Sequence, residues 1–237
     1  KIAGTQALRE ALKRHPNWHP SAREVIILGG GVVGEAALNE AQRNGVGSIS
    51  VFESRKERVR ELRAKYLEEQ TVSVFPLSFL ESTVGKDILR GADVVISGVM
   101  LPDGAAAPKV LTWKHLRVMK PGAYIADVAI DQGGSTAWSK VTKPGEIFTR
   151  GKNGLVFSCV PNIPGSTVPA EATKALTDAT IPFISLLGTY ILEHGRNSGI
   201  YRALKDHPDL RAGLQSWKGM LTNHAVAEKH NMTGGED

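Results

Sequence analysis

The chain has 237 residues, of which 41% are hydrophobic and 22% charged, with a formal net charge of +5. This suits a soluble protein of one large domain, or one domain plus an appendage, with a real core. No apolar stretch approaches the roughly 20 residues that span a bilayer, and no dense basic run is interleaved with aromatics, so neither membrane insertion nor nucleic-acid binding is expected.

Residues 5–14 read as a helix with Ala7, Leu8, Ala11 and Leu12 on one face, ended by His15-Pro16. The apolar run Val25–Leu28 reads as a strand. It leads into Gly29-Gly30-Gly31-Val32-Val33-Gly34 and a helix whose Val33, Ala36, Ala37 and Ala41 share a face. A second strand, Ile49–Phe52, ends at Glu53, nineteen residues past Gly34. Strand, glycine turn, helix, strand and terminal acid form the arrangement that binds a dinucleotide. Gly29 allows the tight turn, Gly31 leaves room for phosphates at the helix N-terminus, and Gly34 brings helix and strand together. The Glu53 carboxylate repels a 2′-phosphate and pairs with free ribose hydroxyls, which favours NAD. Arg55, Lys56 and Arg58 could hold a phosphate, or form the solvated first turn of a charged helix over 55–69.

Further strands are expected at 72–75, 93–97, 123–128 and 155–160, with a short helix starting at Thr112 and stopping before Pro121-Gly122. Continuous apolar strands separated by helices predict an α/β fold: a Rossmann-type, doubly wound parallel sheet, with an N-terminal helix and C-terminal helices beside it. After Pro164-Gly165 the pattern becomes helical: 170–193, kinked at Pro182, then 197–205, 208–215 and 218–229, with a polar tail at 231–237 and no strand after Val160. The expected organisation is a linking helix and linker over 1–20, a dinucleotide-binding domain over 21–166 and a helical segment over 167–237. Cys159, the single cysteine, lies in an apolar run and reads as a small core residue. A lone cysteine fits a reducing compartment, and a cytoplasmic location is expected. Lys1 in place of methionine implies sequence or processing upstream. No metal is expected.

Several motifs resemble the alanine dehydrogenase family. They are Ser97–Pro102, Ala107-Pro108-Lys109, Met119–Gly122, Asp127–Gly134, Val160–Gly165 and Ala175–Pro182. They follow the family's order from about residue 22 to 195, and Ile2-Ala3-Gly4 resembles the entry to the helix joining the family's two domains. The transhydrogenase NAD-binding subunit and the saccharopine dehydrogenases share the pattern. The resemblance implies an NAD-dependent oxidoreductase that moves hydride between nicotinamide and the α-carbon of an amino acid, or of an opine-like amine. Gly29, Gly31, Val32, Val33 and Gly34 would cradle the pyrophosphate. Glu53, where the family usually has aspartate, would lie at the adenosine with Ser54 and Arg58. Gly98, Val99, Leu101, Ile130, Asp131, Asn162 and Ile163 would form the nicotinamide side, with Asp131 at the reacting centre. Asp131 and Asn162 also admit plainer roles, as a backbone-capping carboxylate and a turn former.

The family's N-terminal half, which carries the substrate-carboxylate anchors and the histidine acid/base, has no counterpart in this sequence. None of the seven histidines is assigned that role. The apolar face Ile181, Phe183, Ile184, Leu187, Ile191 should therefore be partly exposed, marking an interface with a second chain or a second copy. The alternative to an enzyme is an NAD(H)-binding module that needs a partner.

Overall fold

The computed structural model describes residues 1–14, 19, 21, 23–101, 105–223, 226 and 227. The expected helix end at His15-Pro16, the tail 231–237 and most of the expected helix beyond Asn223 lie outside those residues.

The chain divides into two units. The first comprises Lys1–Leu101 and Ala106–Val168; the second comprises Pro102–Ala105 and Pro169–Asp237. The first is a seven-stranded sheet flanked by helices. In chain order it runs α1 (Ile2–Lys13), β1 (Glu24–Leu28), α2 (Val32–Arg43), β2 (Ser48–Glu53), α3 (Lys56–Lys65), β3 (Val72–Pro76) and α4 (Thr83–Gly91). Then come β4 (Val94–Ser97), α5 (Trp113–Val118), β5 (Tyr124–Asp127), β6 (Phe148–Arg150), β7 (Leu155–Ser158) and α6 (Ile163–Thr167). The strand order is β3-β2-β1-β4-β5-β7-β6. All neighbours are parallel except β6, which pairs antiparallel with β7. The sheet is therefore an α/β Rossmann-like one, and the expected all-parallel sheet gains an antiparallel edge strand.

The central strands are apolar throughout because both faces are covered. Ile27, Val51 and Ile96 pack under α1 and α2 in one core cluster, while Ile26, Leu28, Val95 and Ile125 belong to the other. Burying a side chain such as Ile26 contributes about 1.5–3 kcal/mol. α1 lies against α2, joined by Arg9 Nε to Glu40 Oε1 at 2.8 Å. Gly4 makes that contact possible, since a β-carbon there would sit 1.9 Å from the Val33 carbonyl oxygen. α5 opens with a capping box between Thr112 and His115, whose buried ring accepts the Thr112 N–H. Cys159 is buried, as its apolar setting predicts, and burial pushes its thiol up to about 11.

In the second unit, α7 (Pro169–His194) runs through Pro182 as one helix. α8 (Arg196–Asp206) packs on it; Gly199 allows the approach, because a β-carbon would sit 2.3 Å from the Tyr190 carbonyl oxygen. No residue of α7 is buried, and Leu176, Ile181, Phe183, Ile184 and Leu192 are exposed. The expectation that nothing is long and apolar enough to cross a bilayer needs correcting: by length and composition alone α7 qualifies, the most apolar 18-residue stretch within it having a mean hydropathy of 1.4. The polar residues Thr177, Asp178, Thr180, Ser185 and Thr189 interrupt its apolar run, which hides it in the sequence.

α9 (Pro208–Ala212) is shorter than expected. The helix expected from 218 is instead a hairpin of β8 (Ser216–Trp217) and β9 (Met220–Leu221). Its loop residues Lys218 and Gly219 have φ of 48° and 86°. Positive φ at both central positions is the two-residue hairpin turn, and it is incompatible with a helix.

Candidate functional site

The strand order reverses between β1 and β4, and ligands of open α/β sheets bind outside the strand carboxyl ends at such a point. The glycine turn lies there. Gly29 has φ of 86°, and a β-carbon on it would sit 3.1 Å from the Gly98 carbonyl oxygen at the end of β4. Only glycine tolerates both demands. Gly34 faces inward: a β-carbon there would sit 1.8 Å from the Gly29 carbonyl oxygen and 3.0 Å from Ile27 Cγ2. Gly31, the N-cap of α2, differs, since the nearest atom to its β-carbon position is an Arg55 guanidinium nitrogen at 3.9 Å. Space is thus kept open over the start of α2, whose first-turn N–H groups have no intrahelical partner. Val32 is exposed beside that opening and Val33 turns inward. An open cradle with free donors at a positive helix end fits a pyrophosphate.

Glu53 ends β2 beside this turn and is buried. Its carboxylate is turned toward the glycines: Oε2 accepts the Gly30 N–H at 2.8 Å and Oε1 accepts the Arg55 N–H at 2.9 Å. Ser54 Oγ lies 3.3 Å from Oε1. The Arg55 side chain closes over the carboxylate, with Nε 3.2 Å from Oε1 and the second nitrogen 3.3 Å from Oε2. Burial works to raise the carboxyl's pKa, and the Arg55 and backbone hydrogen bonds more than offset it, so Glu53 titrates below the ordinary range. Arg58 donates from Nε to the Gly30 carbonyl at 2.8 Å and pairs with Glu35 and Glu61. It braces the turn and the flank of α2.

The nicotinamide-side candidates sit on three segments that follow β4, β5 and β7. Val99 is half-buried and Leu101 exposed. The loop after β5 starts as a 3-10 turn, Val128–Gln132, which buries Ile130 and exposes Asp131. Gln132 clasps the backbone of Leu101 in both directions, donating to its carbonyl at 2.8 Å and accepting its N–H at 2.9 Å. Lys109 Nζ donates to the Gly133 and Gly134 carbonyls, each at 2.6 Å. Asn162 follows β7 with φ of 47°, and its side chain accepts the Gly165 N–H at 3.3 Å, so it does form the turn. Its own N–H reaches Asp131 Oδ2 at 3.4 Å, which brings Asp131 and Asn162 together. Ile163 is buried beneath them.

Under these loops lies a hub that sequence reasoning passed over. Asp127, fully buried at the end of β5, accepts the Ala129 N–H at 3.1 Å, the Ser135 N–H at 2.7 Å and the Ser135 hydroxyl at 3.0 Å. The Ser139 hydroxyl donates to it as well. Ser135 also meets Ser97 of β4 at 2.6 Å. The one carboxylate thus fixes the Asp131 loop and ties it to the strand that carries Gly98 and Val99. Its sequence signals were a carboxylate at the end of an apolar strand and its place at the head of the Asp127–Gly134 motif, neither of which gave it a role. Among the described residues, no group of three or more His, Cys, Asp or Glu side chains could hold a metal.

Residues 19–224 match the family model described as alanine dehydrogenase/PNT, C-terminal domain. The chain is 39% identical over 204 residues to an alanine dehydrogenase of Halomonas elongata, and 35% identical over 208 residues to that of Bacillus subtilis. These alignments cover 86% and 87% of this chain but 50% of each relative, so the chain spans about half their length. Among solved structures, an L-alanine dehydrogenase superposes with a TM-score of 0.74 at 27% identity, covering 97% of this chain and 62% of that one. A transhydrogenase from Sinorhizobium meliloti shares the fold, with a TM-score of 0.60 at 18% identity over 77% of this chain and 53% of that one.

Proposed function

The chain belongs to the alanine dehydrogenase/PNT C-terminal domain family, and from that premise we propose that it is the NAD-bearing half of an amino-acid dehydrogenase. The cofactor of this domain is NAD. When bound, its nicotinamide supplies a hydride acceptor and donor. The substrate is an amino acid, alanine first among candidates, whose α-carbon would give hydride to NAD+ to leave an imine that water hydrolyses to pyruvate and ammonia. The observation that carries the reading is the pairing of an open glycine cradle after β1 with the exposed Asp131 on the same strand-end edge.

The residues divide the work as follows. The N–H groups from Gly31 to Gly34 hold the pyrophosphate, and Glu53 with Ser54 and Arg58 defines the adenosine end. Gly98, Val99, Leu101, Ile130 and Ile163 give the nicotinamide side an apolar wall that keeps water from the reacting carbon. Asp131 orients the substrate amine and stabilises the positive charge on its nitrogen as the α-carbon is oxidised. Asn162 fixes the position of Asp131 through its backbone N–H. The groups that anchor the substrate carboxylate and move its proton come from outside this chain.

Two measurements test this. NADH should bind the chain, and Asp131→Ala in the assembled enzyme should cut alanine-dependent NAD reduction at 340 nm far more than it weakens NADH. Equal turnover in the variant removes Asp131 from the chemistry. A second reading, an NAD(H)-binding module that works only with a partner chain, is favoured by the half-length match and the exposed apolar residues of α7. Amino-acid-dependent NAD reduction by the protein assembled with the missing half or a partner supports the first reading, and NADH binding with no amino-acid-dependent turnover in that assembly supports the second. The partner surface would be the apolar residues of α7, covered by that half or by a second copy of the chain.

A further inference from the structure

A carboxylate at the end of β2 normally faces the ribose as an unscreened negative charge, and that charge turns away a 2′-phosphate. Glu53 is placed otherwise. It is 3% exposed and its oxygens are engaged by the Gly30 and Arg55 N–H groups. The group presented outward is Arg55, whose side chain is 62% exposed and lies across both carboxylate oxygens. One of its nitrogens also lies 3.9 Å from the β-carbon position of Gly31, so a single guanidinium borders both the ribose acid and the phosphate cradle.

Two neighbouring cations are committed elsewhere. Arg58 is held by Gly30, Glu35 and Glu61, and Lys65 pairs with Glu35. Arg55 is moreover the N-cap of α3, where a positive charge opposes the helix dipole. The arginine therefore serves the buried Glu53 carboxylate and not the helix, and its exposed guanidinium fork also matches phosphate oxygens.

We propose that Arg55 determines coenzyme specificity: by screening Glu53 and offering its own donors, it lets this site hold a 2′-phosphorylated dinucleotide alongside NAD. The proposal rests on the glycine turn being a dinucleotide site. With NAD(H), Arg55 stays on Glu53 or swings aside for the ribose hydroxyls. With the phosphorylated form, it leaves Glu53 for the 2′-phosphate, and the two backbone N–H groups keep the carboxylate satisfied.

The test is titration of the chain with NADH and with NADPH, followed by the fluorescence of the reduced nicotinamide, for the natural sequence and for Arg55→Gln. The natural chain should hold NADPH within about tenfold of NADH, and Arg55→Gln should weaken NADPH by about tenfold or more while leaving NADH within about twofold. Competition by 2′,5′-ADP should fall in the variant in step with NADPH, while competition by ADP should not. NADPH more than about tenfold weaker than NADH in the natural chain, or an equal loss of both in the variant, overturns the proposal. If neither binds the natural chain, the dinucleotide reading itself falls and takes this one with it. Arg55 lies on the surface, so an unchanged melting temperature confirms that the variant is folded.

Discussion

Replacing Asp127 by asparagine would report directly on the hub beneath the candidate site. The side chain is fully buried and satisfied by four neutral donors: two backbone N–H groups and two serine hydroxyls. Asparagine preserves the shape but turns one acceptor oxygen into an amide donor. The serine hydroxyls can rotate to other partners, Ser135 toward Ser97 and Ser139 toward Thr136. The backbone N–H groups cannot, so either Ala129 or Ser135 is left facing the amide. One orphaned buried donor costs about 1–3 kcal/mol, and losing the charge on the remaining bonds costs about 1 kcal/mol more. Relief of carboxylate desolvation opposes this, but a carboxylate with four donors has little left to relieve. The net loss should be about 2–4 kcal/mol. For a chain of this size that is a fall in melting temperature of about 4–16 °C. Thermal melts by circular dichroism would measure it, with urea midpoints at unchanged m-value as a second readout. A melting temperature within about 2 °C of the natural chain would refute the reasoning, showing that the network does no more than break even against desolvation.

Gly31→Ala and Gly34→Ala should separate binding from folding. Alanine at Gly31 meets nothing closer than 3.9 Å, so the melting temperature should stay within about 2 °C while NADH affinity falls at least about tenfold. Alanine at Gly34 sets a methyl 1.8 Å from a backbone oxygen, so stability should fall by more than about 3 kcal/mol; parallel behaviour of the two variants by melting and NADH titration would contradict these roles. Asp93 should govern part of the acid limb. Burial works to raise its pKa, but Lys120, the Glu24 N–H and Arg23 hold it below its ordinary 3.8. Its stabilisation is therefore full above that value and drains away as pH falls toward the folded value. Asp93→Asn should lower stability at neutral pH and flatten the loss below about pH 4 in acid titrations followed by circular dichroism; an unchanged acid limb would exclude it. The Cys159 thiol, at about 11, should resist a disulfide exchange reagent at pH near 8 and react only on unfolding.

The sequence made the first half of the sheet plain because Val25–Leu28, the glycine turn, α2 and β2 each follow from local pattern. The edge strand β6 escaped notice because its three residues are half-buried or exposed and carry no apolar alternation. The β8–β9 hairpin was read as helix because its strands are two residues each and its turn begins with an ordinary lysine. At the site, the glycines, Glu53 and Asp131 could be placed from spacing and resemblance. The Asp127 hub could not, since its serines come from β4 and from the loop after β5, and only the fold brings Ser97 to Ser135. Nor could the inward turn of Glu53, because adjacency in sequence says nothing about which way a carboxylate points.

The close seat of α1 on α2 has a consequence for dynamics. Gly4 lies directly on the carbonyl of Val33, in the first turn of the helix proposed to receive the phosphates. Ligand that quiets that turn must also suppress opening of α1 along its length. Amide protons of α1 should therefore exchange more slowly with deuterium when dinucleotide is present, so that the exchange footprint of the ligand is larger than its contact surface.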